Sequence, residues 1–163
     1  MTNPEAQLDG RFARFAPTIA GLGRMLRAKL RARLPGLHEI VYVYENQETL
    51  VIAYSPTVNG YEGVCSLSIS PRGAKLYFAQ GALLSKHDPL KLLQGRAKAR
   101  YVDLAAPSDF DRPEIETLTV AALKLAGIRV AAGAEGSIVD KADSQKRRAR
   151  SARPASPRPR SRR

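Results

Sequence analysis

Four carboxylates fall within eight positions of the chain: Asp109, Asp111, Glu114 and Glu116, in "SDFDRPEIETL". Hard cations take oxygen ligands, so this cluster is the first candidate for a metal site, iron included. The same acids are also what a helix N-terminus favours, because its unpaired N–H groups carry partial positive charge. Asp111 followed by Glu114 fits a capping box, with Asp109 or Ser108 as alternative caps. Capping is the preferred reading, and the basic balance of the body argues against an acidic metal ridge.

The two histidines offer less. His87 and Asp88 are adjacent, a poor arrangement for gripping one ion, and His38 lies far along the chain beside Glu39. In "GALLSKHDPLKLLQGRAKARYVDL", residues 81–104, Gly81 and Gly95 are too widely spaced for a phosphate loop, and no Gly-Lys-Ser/Thr follows them. Asp88 is better placed as the cap of a short helix, with Pro89 as its first residue and Gly95 as its stop. Cys65 sits on the apolar side of a strand pattern, where a cysteine acts as a small buried hydrophobe and not as a nucleophile. Tyr42, Tyr44, Tyr54, Tyr61, Tyr77 and Tyr101 are the main aromatic resource. They could line a groove for a small ligand, although packing with the hydroxyl at the surface is the simpler role.

The strongest physical bias toward a partner is at the C-terminus. Lys146, Arg147, Arg148, Arg150, Arg153, Arg158, Arg160, Arg162 and Arg163 form a polycation interrupted by Pro and Ser. From Lys141 onward ten Lys/Arg face one acid, Asp143, a net +9 of the chain's +12, which leaves +3 for the first 140 residues. Such a segment binds nucleic acid, or another polyanion, weakly and without sequence preference by releasing counterions. It holds no aromatic residue for base stacking. A basic solubilising extension with no dedicated target is the equal alternative.

These residues must be held by elements that the periodicity outlines. "PTIAGLGRMLRAKLRARLPG" repeats apolar residues at Ile19, Leu22, Leu26 and Leu30, the spacing of a helix with a basic outer face. "HEIVYVY", "TLVIAYS", "GVCSLSIS" and "AKLYFAQ" alternate as strands, and Ser70-Pro71-Arg72-Gly73 marks a tight turn between the last two. A short crossover helix, the strand "AKARYVDL" and a closing helix with Ile115, Leu118, Ala122 and Leu125 on its core stripe complete the layout. The fold class is therefore α+β: an antiparallel sheet of about five strands with two main helices and the crossover helix packed on it. Residues 1–13 read as loose, 14–133 as the domain, and 134–163 as a disordered basic tail too polar to offset its ordering entropy. No apolar run approaches the ~20 residues that cross a bilayer. The N-terminus lacks a secretory pattern, and the single cysteine fits a reducing cytoplasm.

The layout resembles a known family. The first helix ending in "LPGLHEIVYVY", the pair "LSISPRGAKLYFA", then "GALL", "DPLKLLQGRAKARYVDL" and an acid-led final helix together are similar to the YdhG-like domain over about residues 14–127. The resemblance implies a compact α+β domain with helices on a small sheet. Some members are named frataxin-like iron chaperones, which would put iron on Asp109, Asp111, Glu114 and Glu116; most have no assigned activity. Many members carry a Tyr-Gly-Met-Pro-like run after the first strand, where this chain has "YVYENQETLVIAY". The combined expectation is a non-enzymatic cytoplasmic binding domain with no cofactor, attached weakly to nucleic acid through its tail. Frataxin-like iron delivery and an unrecognised enzyme are the alternatives.

Overall fold

The computed structural model describes residues 3–59 and 63–142. Its α-helices are α1 (Pro4–Phe12), α2 (Pro17–Arg33) and α3 (Pro113–Ala126). Its strands are β1 (His38–Tyr44), β2 (Thr49–Ser55), β3 (Cys65–Ser70), β4 (Gly73–Phe78), β5 (Arg100–Leu104) and β6 (Ile138–Asp140). The sheet runs β5-β4-β3-β2-β1-β6, antiparallel throughout except for β6, which lies parallel to β1. The α+β class read from the periodicity is the class observed. Among the described residues no helix is long and apolar enough to cross a membrane.

Strand alternation determines which face is the core. Val41, Ile52, Leu67, Leu76 and Val102 stand opposite one another across five strands, each at 2 % exposure or less. Leu26 and Leu30 of α2 and Ile115, Leu118 and Leu123 of α3 close over that row and join it in one cluster. The hairpin turn at Pro71-Arg72 forms as its residues require, with Gly73 at φ 134°.

Both ends of the domain lie further out than the periodicity indicated. Of the N-terminal residues expected to be loose (1–13), the described ones, 3–13, are not: Asn3 accepts a hydrogen bond from Glu5 N at 2.9 Å, Pro4 opens α1, and Leu8 and Phe12 are buried at 1 %. Two apolar residues four apart are too few to register as a pattern, yet they suffice to seat one short helix. Phe12 presses against Gly23 of α2, where a Cβ would come within 2.7 Å of the ring. The glycine that lowers the helix propensity of α2 thus admits α1.

At the other end the domain continues past Gly133 to Ala142, adding a sixth strand to the five expected. Glu39 N donates to Ser137 O and Lys141 N to Val41 O, each at 2.9 Å, and Arg11 holds Asp140 at 2.8 Å. A three-residue strand has no periodicity of its own; its pairing with β1 creates it. The rest of the expected tail, 143–163, with Lys146 and the eight arginines, lies outside the described residues.

The crossover is also rearranged. The helical turns are 3-10 and span Gly81–His87, before Asp88 and not after it. Asp88 still caps, accepting from Leu92 N at 2.9 Å and Leu93 N at 2.8 Å, but it closes a turn and starts no helix. Gly95 takes φ 102°, the left-handed conformation expected of it, although it follows the Gln94 bridge to Tyr101 and ends no helix. α3 begins at Pro113 with no side-chain cap, so Asp111 and Glu114 form no capping box there. Asp109 instead accepts from Ala105 N and Ala106 N at 2.8 and 3.1 Å, bracing the 3-10 turn Pro107–Asp111.

Phe12→Ala should destabilise the domain by about 3–5 kcal/mol, the cost of emptying a buried aromatic site. Urea unfolding followed by circular dichroism measures this; a change within about 0.5 kcal/mol would mean α1 contributes nothing to the core.

Candidate functional site

The carboxylate cluster is dispersed into separate contacts. Asp109 is spent on its own backbone, Lys29 of α2 reaches Asp111 at 2.5 Å, and Arg33 grips Glu116 with hydrogen bonds of 2.7–3.0 Å. Glu114 faces Arg112 at 3.6 Å. Among the described residues no group of three or more His, Cys, Asp or Glu is arranged to hold a metal ion. Asp111 and Glu116 therefore tie the start of α3 to α2.

His38 accepts from Ser137 N through Nδ1 at 2.9 Å, which makes it a clamp for the segment leading to β6. His87 is exposed and lines a groove of about 880 Å³ between the Gly81–His87 turns and α3, together with Leu83, Val120, Leu125 and Glu116. Arg33 engages Glu116, and the Ser85 hydroxyl donates to the Ala82 carbonyl at 3.3 Å. The groove thus gives His87 neither a free carboxylate nor an activated hydroxyl, the pairing that acid–base catalysis needs. Cys65 is buried, and burial pushes its thiol up to about 12, far from the thiolate that nucleophilic chemistry requires.

A charged group that sequence reasoning passed over lies at the centre of the fold. Glu39 points from β1 into the core side and is 3 % exposed. Arg27 of α2 donates to both of its oxygens at 2.9 and 2.8 Å, and the Tyr54 hydroxyl donates to Oε2 at 3.0 Å. The same guanidinium reaches Glu5 of α1 through two further bonds of 2.9 Å, and Arg31 adds a third contact to Glu5 at 2.8 Å. Burial opposes the Arg27 charge, but hydrogen bonds and attraction from Glu39 and Glu5 outweigh it and hold the guanidinium above its ordinary value. Tyr54 is held well above the ordinary phenol value by burial and then by the Glu39 charge. Glu5 is held below the ordinary carboxylate value, chiefly by its hydrogen bonds from Arg27. The oxygens of Glu39 are fully occupied, so the cluster is a lock between helices and sheet. Its sequence signal was Glu39 itself, an acid at a core-facing position of a strand.

The second face of the sheet is where the structure gathers side chains that no helix covers. Tyr77 of β4 and Tyr101 of β5 are cross-strand partners with ring centroids 5.1 Å apart. The Lys75 ammonium stands 4.3 Å from the Tyr101 ring centroid. Ser66, Ser68 and Ser70 of β3 continue this face as a low, polar, half-buried floor. Asp103 also lies on it and accepts from the Gln94 amide at 2.7 Å. Gln94 pairs by backbone with Tyr101, which brings the exposed loop carrying Arg96 and Lys98 to the β5 edge. At the β1–β2 end the same face is closed, with Ile40, Ala53 and Ser55 buried.

The tyrosines are thus divided. Tyr54 is core, Tyr42 and Tyr44 stand on β1, and Tyr61 lies outside the described residues. A second cleft of about 320 Å³, between the α1–α2 junction and the β1–β2 turn, is lined by Arg11, Arg14, Phe15, Glu48 and Leu50. Neither cleft is lined by a tyrosine, so the phenol-lined groove envisaged from the sequence is in neither. The aromatic surface is a platform and not a pocket.

Compared with known proteins, the chain matches no family model, no curated protein and no solved structure.

Arg27→Ala leaves buried Glu39 with only Arg31, 3.5 Å away, and should cost about 3–5 kcal/mol, read as a fall in denaturation midpoint. A loss within about 0.5 kcal/mol of the unaltered chain would show that the lock is dispensable. Cys65 and Tyr54 are acids raised by folding, so their contribution is complete below their unfolded values, about 8.5 and about 10, and is lost as pH rises above them. Melting temperature should therefore fall between about pH 8 and pH 11, and Cys65→Ala should flatten the first part of that fall. A thiol reagent at neutral pH should label Cys65 only after denaturation.

Proposed function

We propose that the chain is a non-enzymatic binding domain of the YdhG-like kind whose Arg-rich C-terminal segment attaches it to nucleic acid. One observation carries this reading: the cations of the longest helix are already used. Arg24 pairs with Asp9, Arg27 with Glu5 and Glu39, Lys29 with Asp111, Arg31 with Glu5, and Arg33 with Glu116. The basic face of α2, which looked solvated and available, is internally neutralised. The positive charge left uncompensated is concentrated in residues 143–163, where nine Lys/Arg meet only Asp143. A polycation of this density gains affinity for phosphate backbones through counterion release, with steep salt dependence.

In the full-length chain, replacing those nine Lys/Arg by Gln should abolish retardation of a duplex oligonucleotide at about 50 mM salt. It should also flatten the dependence of log affinity on log salt by about 0.9 for each phosphate that is no longer neutralised. Equal affinity and slope for the two chains would remove the segment's role.

A further inference from the structure

We propose that the helix-free face of the sheet at β3, β4 and β5 binds single-stranded nucleic acid by stacking bases on Tyr77 and Tyr101. This inference rests on the nucleic-acid reading above and assigns the part of it that the Arg-rich segment cannot perform. That segment has charge but no aromatic residue, so it cannot distinguish unpaired bases from a duplex.

The chemistry of the face fits an unpaired strand. Bases released from pairing expose flat π surfaces that stack on aromatic side chains presented by an open sheet. Tyr77 and Tyr101 are adjacent across β4 and β5, half-buried and thus held in place while still reached from solvent. Their rings are tilted by 42° and are not stacked on each other, and the Lys75 ammonium takes one face of Tyr101. Phosphates accompany the bases, and the cations are placed for them: Lys75 over the Tyr101 ring, and Arg96 and Lys98 on the loop joined to the β5 edge. Among the described residues, the one acid on this part of the face, Asp103, is engaged by Gln94. The Ser66, Ser68 and Ser70 hydroxyls provide short donors and acceptors to base edges, and their small size leaves room for a strand to lie across β3. A protein partner of ordinary interface chemistry would want an apolar centre, and this floor is serine and lysine.

The test uses the full-length chain and fluorescein-labelled oligonucleotides of about 12 nucleotides, a length within the span of one such platform. A single strand and a duplex of the same sequence are followed by anisotropy. Tyr77→Ala and Tyr101→Ala should each weaken single-strand binding about 10-fold or more, the loss of one stacked base. Duplex affinity should stay unchanged, and Tyr→Phe at either position should restore single-strand binding. Equal losses for strand and duplex, or no loss for either, would overturn the proposal. The chain with its nine C-terminal Lys/Arg changed to Gln separates the two readings. It should lose duplex binding yet still prefer the single strand, whereas unchanged duplex binding would sink the segment's role and leave the tyrosine result readable. Photocrosslinking of the unaltered chain to the single strand covers the case of an Ala variant that does not fold. Crosslinked peptides containing Tyr77 or Tyr101 support the platform, and crosslinks confined to residues 143–163, or no binding of either oligonucleotide, overturn it.

Discussion

Glu39 projects from β1 into the apolar side of the sheet, where a carboxylate is stable only if its charge is met and its lone pairs are filled. Arg27 meets the charge and Tyr54 fills the remaining site, so α2, β1 and β2 are fixed relative to one another. The fork of Arg27 also reaches Glu5, which draws α1 onto the same point. Most of what distinguishes this domain from a plain sheet with a helix on it follows from that requirement. α1 has a reason to dock, and its Arg11 then secures Asp140 at the edge where β6 joins.

The same economy of charge governs what the surface can do. Helix α2 carries cations on most of its outer positions, but they face Asp9, Asp111, Glu116 and Glu5 across short gaps. Exposed pairs of this kind add little stability each, about 0–1 kcal/mol. Their larger effect is to cancel a field that would otherwise draw polyanions to this side. Two of the acids that looked like metal ligands, Asp111 and Glu116, and the basic outer face of α2 neutralise each other.

With one sheet face closed by three helices, the domain has two kinds of surface left. The groove beside α3 is apolar and open, and its Glu116 and Ser85 are engaged in other contacts. The second sheet face is flat, serine-floored and aromatic, with lysine and arginine at its β5 edge. A flat surface of that composition suits a ligand that is itself planar and charged, whereas a small apolar molecule needs enclosure.

Local chemistry made much of this legible in the residues alone. Strand alternation identified β1 to β5, because side chains on a half-buried sheet must alternate between two media. The turn at Pro71-Arg72 and the burial of Cys65 followed from the same short-range rules. Asp88 was legible as a cap, although what it caps is a turn. The missing parts share one cause: they exist only through partners distant in the chain. α1 is held by Gly23 and Arg27, and β6 by β1, while Asp111 and Glu116 are claimed by Lys29 and Arg33. No pattern within these segments announces such contacts. The sequence by itself determined β1 to β5, the hairpin turn between β3 and β4 and where the net charge lies, because those depend on neighbours along the chain. Only the tertiary structure decided which charges cancel, which acid is buried and which tyrosines share a face, because burial and ion pairing depend on proximity in space.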